Sequence, residues 1–160
     1  MRDEDFERLY ERLAPGLLGF LVYRTGDRGL AEDVMADTFE RVLRSRGRFD
    51  VRRGGEKTWV YSIALNRLRD QLRRDQAEAR ALERVEATGG TTTDALEALH
   101  ERDELIGALA SLSEEEREAI ALRYGGDLTV PEIAKLKREK LTTVEGRVYR
   151  GLRKLRDVLD

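Results

Sequence analysis

Apolar residues recur along this chain at three- and four-residue steps, the spacing that gathers side chains onto one face of an α-helix. Phe6, Leu9, Tyr10, Leu13, Leu17, Leu18 and Leu21 predict a first helix over about residues 4–24, with Pro15 the place where it can kink. Thr25-Gly26-Asp27 ends it, and Asp27 can cap a second helix. In that helix Leu30, Ala31, Val34, Met35, Thr38, Phe39, Val42 and Leu43 form one stripe, while Glu32, Asp33, Asp37, Glu40 and Arg41 face away. Residues 47–57 lack periodicity and carry Arg48, Arg52, Arg53, Gly54 and Gly55, so they predict a basic loop. A third helix is expected over about residues 58–75. Val60, Ala64, Leu68 and Leu72 form its buried seam, and Trp59, Ser62, Asn66, Arg69 and Arg73 lie along another face.

Residues 76–87 are charged and can continue as helix, but Thr88-Gly89-Gly90-Thr91-Thr92-Thr93 has little to bury and marks a linker. Helical order resumes from about residue 94 with Leu96, Leu99, Leu105, Ile106 and Leu109. Three Ser/Thr-x-x-Glu runs then read as capping boxes: Ser113 to Glu116, Thr129 to Glu132 and Thr142 to Glu145. The first opens a helix with Ala119, Ile120, Leu122 and Tyr124 that stops at Gly125-Gly126; the second opens a short helix with Ile133, Ala134 and Leu136. In the last helix Val144, Val148, Leu152 and Leu155 form the seam, and Thr143, Arg147, Arg150 and Lys154 share a basic face. A short helix, a tight connection and a longer helix with a basic face is the helix-turn-helix pattern. The expected fold is therefore all-α: two small helical domains, 1–78 and 99–160, joined by a flexible linker at 79–98, the second a helix-turn-helix. The linker leaves the relative arrangement of the domains open.

Composition supports thin helical units. Over 160 residues, 40% are apolar and 39% charged, against typical shares of about 45–50% and about 25%. No apolar run approaches the roughly 20 residues that span a bilayer, and Met1-Arg2-Asp3-Glu4-Asp5 is acidic where a signal peptide starts basic, so a cytoplasmic location without membrane insertion is expected. There is no cysteine, and His100 is the single histidine. That excludes disulfides and the usual zinc sites, and leaves a Ser-His-Asp triad nothing but a histidine inside an acidic run. A helical carboxylate-metal enzyme needs paired Glu-x-x-His ligands, and Glu97 with His100 supplies one copy. No cofactor or metal is expected, and no catalytic activity.

The formal charge of −2 hides strong segregation. Residues 1–40 carry net −5, residues 41–74 net +8, residues 75–118 net −9 and residues 119–160 net +4. Two basic surfaces, each preceded by an acidic one, suggest a polyanion touched at two places and something else held by the remainder. The basic loop beside Trp59, Asn66 and several arginines suits single-stranded DNA, whose bases stack while Arg and Lys hold phosphates; a lone tryptophan is equally a core residue. The basic face of the last helix suits the major groove, where Arg bonds guanine with two donors, and a solvated face of a helical bundle is the alternative. The acidic face of the second helix fits a basic protein partner or simply water.

The order of these features resembles the extracytoplasmic-function sigma factors, the compact two-domain group of bacterial sigma-seventy-type initiation subunits. Thr25-Gly26-Asp27-Arg28 with Ala31-Glu32-Asp33-Val34-Met35-Ala36-Asp37-Thr38-Phe39 is similar to the family's polymerase-binding helix. Arg48-Phe49-Asp50 and Thr58-Trp59-Val60-Tyr61-Ser62-Ile63-Ala64-Leu65-Asn66 resemble its promoter-melting segment. Leu112 to Glu118, Leu122-Arg123-Tyr124, Glu132-Ile133-Ala134 and Thr143-Val144 with Arg147 and Arg150 resemble its C-terminal domain.

The resemblance implies a subunit that binds RNA polymerase core, directs it to promoters and assists strand opening. It implies that Asp33, Asp37, Phe39 and Glu40 meet the clamp helices of the largest polymerase subunit. Phe49, Asp50, Trp59, Ser62 and Asn66, with the basic Arg52, Arg53, Arg69 and Arg73 beside them, are the expected minus-ten surface, for duplex and single-stranded promoter DNA. Thr143, Arg147, Arg150 and Lys154 are the expected minus-thirty-five surface. An anti-sigma protein is implied as a regulator. The chain also departs from the family: Ala36 replaces a usual Gln, Ser62 a frequent Arg, and Glu145-Gly146 a common Lys-Ser pair. Lys137-Arg138-Glu139-Lys140-Leu141-Thr142 replaces a Leu-Gly-Val-Pro-like turn, with Arg138 where glycine normally supplies the left-handed conformation. The competing function is a stand-alone helix-turn-helix repressor or activator, which has no need of the acidic helix or of the Trp59 face.

Overall fold

Most helix ends in this chain are set by the residue that satisfies the free groups of the terminus. In the computed structural model, which describes residues 2–50, 52, 54–85 and 104–160, the Asp27 side chain accepts from the Leu30 amide at 3.1 Å and starts α2 (Arg28–Arg44). Helix α1 (Asp3–Thr25) runs unbroken through Pro15 and closes on Gly26 at φ 69°. A 3-10 turn (Arg46–Arg48) leads to α3 (Glu56–Val85). After it come α4 (Glu104–Ala110), α5 (Glu114–Ile120), a π-helical turn (Ala121–Gly125), α6 (Val130–Lys137) and α7 (Leu141–Leu159). Among the described residues there is no strand, in keeping with the all-α expectation.

Helix α3 reaches Val85 rather than Asp75, because the added turns are rich in Ala, Arg, Glu and Leu, which hold a helix by propensity even where, as at residues 76–82, they are exposed. It thereby enters the stretch expected to be linker. Residues 86–98, with Leu96, Leu99, His100 and Arg53, lie outside the described residues. The boxes at Ser113 and Thr129 form as expected, each hydroxyl accepting from the amide three residues on while the glutamate accepts in return. The third does not. Helix α7 opens earlier, at Leu141, with amides of Thr143 and Val144 donating to the Lys140 carbonyl at 3.1 and 3.2 Å, so Thr142 lies inside the first turn and Glu145 caps nothing. Tyr124, expected in the helix that Ser113 opens, falls in the π-helical turn and points outward beneath the Arg123 guanidinium.

Two layers of core follow. Helices α1, α2 and α3 enclose Leu13, Leu17, Phe20, Val34, Val42 and Leu68; helices α4 to α7 enclose Leu109, Ile120, Leu122, Ile133, Val144 and Leu155. The two are continuous. The seam is a backbone-to-backbone approach between α1 and the π-helical turn: a Cβ placed on Gly19 would stand 2.7 Å from the Gly125 carbonyl oxygen, and one on Gly125 2.8 Å from that of Gly19. Around it the Tyr61 hydroxyl donates to the Gly126 carbonyl at 3.3 Å and Lys57 Nζ to the Asp127 carbonyl at 3.1 Å. Burial pushes the Tyr61 phenol far above its ordinary pKa, so it stays a donor at every ordinary pH.

Gly19→Ala is therefore expected to destabilise the folded chain by about 1–3 kcal/mol, because backbone on the far side cannot rotate away. Gly47→Ala, with nothing within 4 Å of the new carbon, is expected to stay within about 0.5 kcal/mol. Thermal unfolding followed by circular dichroism compares them.

Candidate polymerase and nucleic-acid interfaces

Helix α2 buries Ala31, Val34, Thr38, Phe39 and Val42, which turns Asp33, Asp37 and Glu40 to solvent. Phe39 does not join them. It is 4% exposed, its ring packed against Tyr10 at 4.7 Å and Phe6 at 6.3 Å, so its role is to seat α2 on α1 rather than to touch a partner. The carboxylates are not an unbroken acidic strip. Asp37 accepts from Arg67 Nη2 at 3.3 Å and Glu40 from Arg44 Nη2 at 2.6 Å, while Asp33 has no ion pair among the described residues. The Arg67 contact crosses from α3 and has no local signal in the sequence.

The basic loop and the start of α3 meet through aromatics. The Phe49 and Trp59 rings lie 5.0 Å apart at 41°, both half-buried, so Trp59, braced by Phe49 and packed against the core, keeps part of its surface open. The Ser62 hydroxyl donates to the Trp59 carbonyl at 2.6 Å, which ties it to its own helix. Asn66, Arg69 and Arg73 follow on the exposed side, as do Asp50 and Arg52 on the loop. Arg69 Nη2 lies 3.9 Å from Glu118 and Arg73 pairs with Asp70.

The last helix tells a different story from its sequence. Counting 100° per residue from the buried Val144, Val148, Gly151 and Leu155, the row Thr143, Arg147, Arg150 and Lys154 sits roughly a quarter-turn from the core. It faces neighbours. Lys154 Nζ donates to Glu116 at 2.7 Å, Arg150 lies 3.8 Å from the same carboxylate, and Arg147 Nη1 donates to Glu139. Directly opposite the core stand Thr142, Tyr149 and Arg153, all exposed, Tyr149 at 67%. Sequence reading missed them because it followed the densest line of arginines; the angle from the seam would have found them.

One charge cluster lies between the two halves. Glu118 on α5, its side chain 10% exposed, meets Lys137 Nζ at 2.5 Å, Arg24 Nε at 3.5 Å and Arg69. Burial alone pushes its carboxyl upward, but Lys137, Arg24 and Arg69 outweigh that and hold it below the ordinary value. Glu116 is also held low, first by its bond from Lys154. Beside the cluster opens a cleft of about 710 Å³ lined by Arg24, Arg69, Arg73 and Arg117 against acids of equal number. Among the described residues no group of acids and histidines has the make-up of a metal site, and no helix is long and apolar enough to cross a membrane.

Comparison with known proteins settles what these surfaces belong to. Residues 9–78 match the model of sigma-70 region 2 and residues 102–155 that of sigma-70 region 4. The chain is 34% identical to RNA polymerase sigma factor CarQ of Myxococcus xanthus, over 96% of this chain and 88% of that protein. It belongs to the ECF sigma factors. The ECF RNA polymerase sigma factor SigK of Mycobacterium sp. (strain KMS) is 29% identical over 99% of this chain and 85% of its own length. Among solved structures, sigma factor RpoE of Bartonella quintana, bound to the anti-sigma factor NepR, shares the fold with a TM-score of 0.79 at 22% identity, covering 98% of this chain and 97% of that one. CnrH, in complex with the cytosolic domain of CnrY, follows at 0.73 and 25% identity, over 99% and 90%. As a sigma factor the chain directs RNA polymerase to specific promoters in transcription initiation, a role of non-enzymatic transcription factors. A stand-alone helix-turn-helix regulator is not favoured, since the first half of the chain is sigma region 2.

The Glu118 cluster gives this sigma factor a pH signature. A carboxyl whose folded pKa lies below its unfolded value of about 4.5 adds stability above that value and loses it as pH falls through the lower one. Glu118→Gln is expected to cost about 3–5 kcal/mol at neutral pH, as for a buried pair that loses one partner. The difference from the unsubstituted chain should shrink below about pH 4.5, read as melting temperature against pH.

Proposed function

We propose that the exposed carboxylates of α2 dock the sigma factor on the clamp helices of the largest polymerase subunit, with Asp33 the central contact. Its freedom from any ion pair among the described residues is what supports that choice, since Asp37 and Glu40 must first give up Arg67 and Arg44. Phe49, Asp50, Arg52, Trp59, Ser62, Asn66, Arg69 and Arg73, with Arg53, form the minus-ten surface: Trp59, braced by Phe49, offers a face on which an unpaired base stacks while the arginines take phosphates. In region 4, Thr143, Arg147, Arg150 and Lys154 read the minus-thirty-five element, joined by Thr142, Tyr149 and Arg153 from the outermost face. The domains we assign to these tasks are 1–78 and 99–160, with 79–98 between them.

Promoter binding on this reading requires the two halves to part. Elements centred about 25 base pairs apart lie roughly 85 Å apart at 3.4 Å per base pair, whereas a folded body of this length is about 40 Å across. Opening breaks the contacts of Arg24 and Arg69 to Glu118 and frees Arg69 for DNA. A cytoplasmic protein that binds either half alone, or both together, is the kind of regulator such a molecule admits. Sigma factor RpoE is seen with the anti-sigma factor NepR, and CnrH with the cytosolic domain of CnrY; we extend an anti-sigma partner to this chain on the first likeness.

Purified bacterial core polymerase is expected to initiate from a cognate promoter with this chain and not without it. The double substitution Asp33→Lys, Asp37→Lys should weaken co-purification with core at least tenfold while circular dichroism stays unchanged. Undiminished binding would remove α2 from the interface.

A further inference from the structure

The turn between α6 and α7 is where the chain departs furthest from the family's usual apolar run, and of the charged residues it introduces Lys137 and Glu139 are largely covered while Arg138 and Lys140 are exposed. The Lys137 side chain, 8% exposed, reaches Glu118 at 2.5 Å and Glu139 at 3.4 Å. Arg138 takes the left-handed conformation at φ 56°, ψ 45°, so the turn keeps its form without glycine. The Glu139 amide then donates to the Ala134 carbonyl at 3.0 Å, closing the end of α6. Glu139, its side chain 24% exposed, accepts from Nη1 of Arg147, itself 20% exposed. Arg150 and Lys154 are more than half exposed by comparison.

A guanidinium has five donors in a rigid fork. With Nη1 given to Glu139, the opposite edge, Nε with Nη2, has no partner among the described residues. That edge carries the two parallel donors that match O6 and N7 of guanine. We propose that Glu139 is a positioning residue for promoter reading: it holds the Arg147 guanidinium with its Nε–Nη2 edge presented to one guanine of the upstream element and, by its own charge, keeps that arginine off the phosphates. Lys137 fixes the carboxylate from behind. The inference rests on α7 as the reading helix, and it assigns the unusual turn a task that stability alone does not: selecting one base at one position.

The test uses holoenzyme, the full chain with bacterial core polymerase, on a promoter library randomised across the upstream element. Arg147→Ala is expected to erase a guanine preference at one position, on the order of tenfold. Glu139→Gln should erase it at the same position while total promoter affinity holds or rises, because a negative charge has left the DNA face. The slope of log affinity against log salt should steepen by about 0.9, one added phosphate contact. The double variant should lose no more preference than either single one, and Glu139→Asp, which keeps the carboxylate, should restore most of it. Circular dichroism confirms that each variant is folded. An unchanged base preference in Glu139→Gln where Arg147→Ala alters it overturns the proposal and leaves Arg147 as a reader. An unchanged preference in Arg147→Ala overturns both, without touching the assignment of α2 to polymerase.

Discussion

The arrangement of this molecule depends on one carboxylate that is never alone. Glu118 sits where the two halves meet, shielded from water, and a charge so placed costs several kcal/mol unless it is paired. Its partners come from three directions: Arg24 at the end of α1, Arg69 in the middle of α3 and Lys137 at the end of α6. Lys137 belongs to the same half as Glu118, whereas the arginines come from the other. The cluster therefore sets the register of docking rather than its strength. Strength comes from the apolar seam and from Gly19 against Gly125, where two backbones meet with no side chain between them. Each half alone, of about 70 residues, buries only about 60% of its unfolded surface, so the seam adds core that neither half has by itself.

The docking surface and the surfaces proposed for DNA share residues, so on that proposal the geometry constrains what the sigma factor can do at one time. Arg69 belongs to the face that carries Trp59 and Asn66, yet its guanidinium turns toward Glu118 while the halves are together. Helix α2 is on the far side of this exchange: its carboxylates pair within region 2, through Arg67 and Arg44, and are exposed whether or not region 4 is docked. On the proposed assignment, polymerase binding and promoter reading thus use surfaces of different availability.

How much of this was legible in the sequence follows the range of the interaction. Ser113 with Glu116 and Thr129 with Glu132 close over three residues, and both boxes are written in the chain. The Thr142 to Glu145 run has the same letters and fails, because the αL residue Arg138 brings Lys140 to the helix start and its carbonyl receives the first amides. Phe39 was placed on the stripe by periodicity and on the polymerase surface by resemblance; its burial against Phe6 and Tyr10 decides between them. The pairing of Asp37 with Arg67 and the meeting of Gly19 with Gly125 span some 30 and 100 residues. Nothing in a local window records either.

The turn at Lys137 to Lys140 shows what a departure from a family pattern can accomplish. A residue with a Cβ in the left-handed region costs about 1–2 kcal/mol relative to glycine, and Arg138 bears it at a point where glycine is the family's habit. Strain of that size persists when the surroundings over-determine it. Here they do: the Glu139 amide is taken by Ala134, Lys137 is held by Glu118 and Glu139, and Glu139 by Arg147. Five ion pairs converge on these two carboxylates, Glu118 and Glu139, and one of the cations, Arg147, lies on the helix proposed to face DNA. An apolar turn gives the same backbone at lower cost but leaves that arginine to its rotamers. The strain is retained together with the charges, and the order it imposes falls on Arg147.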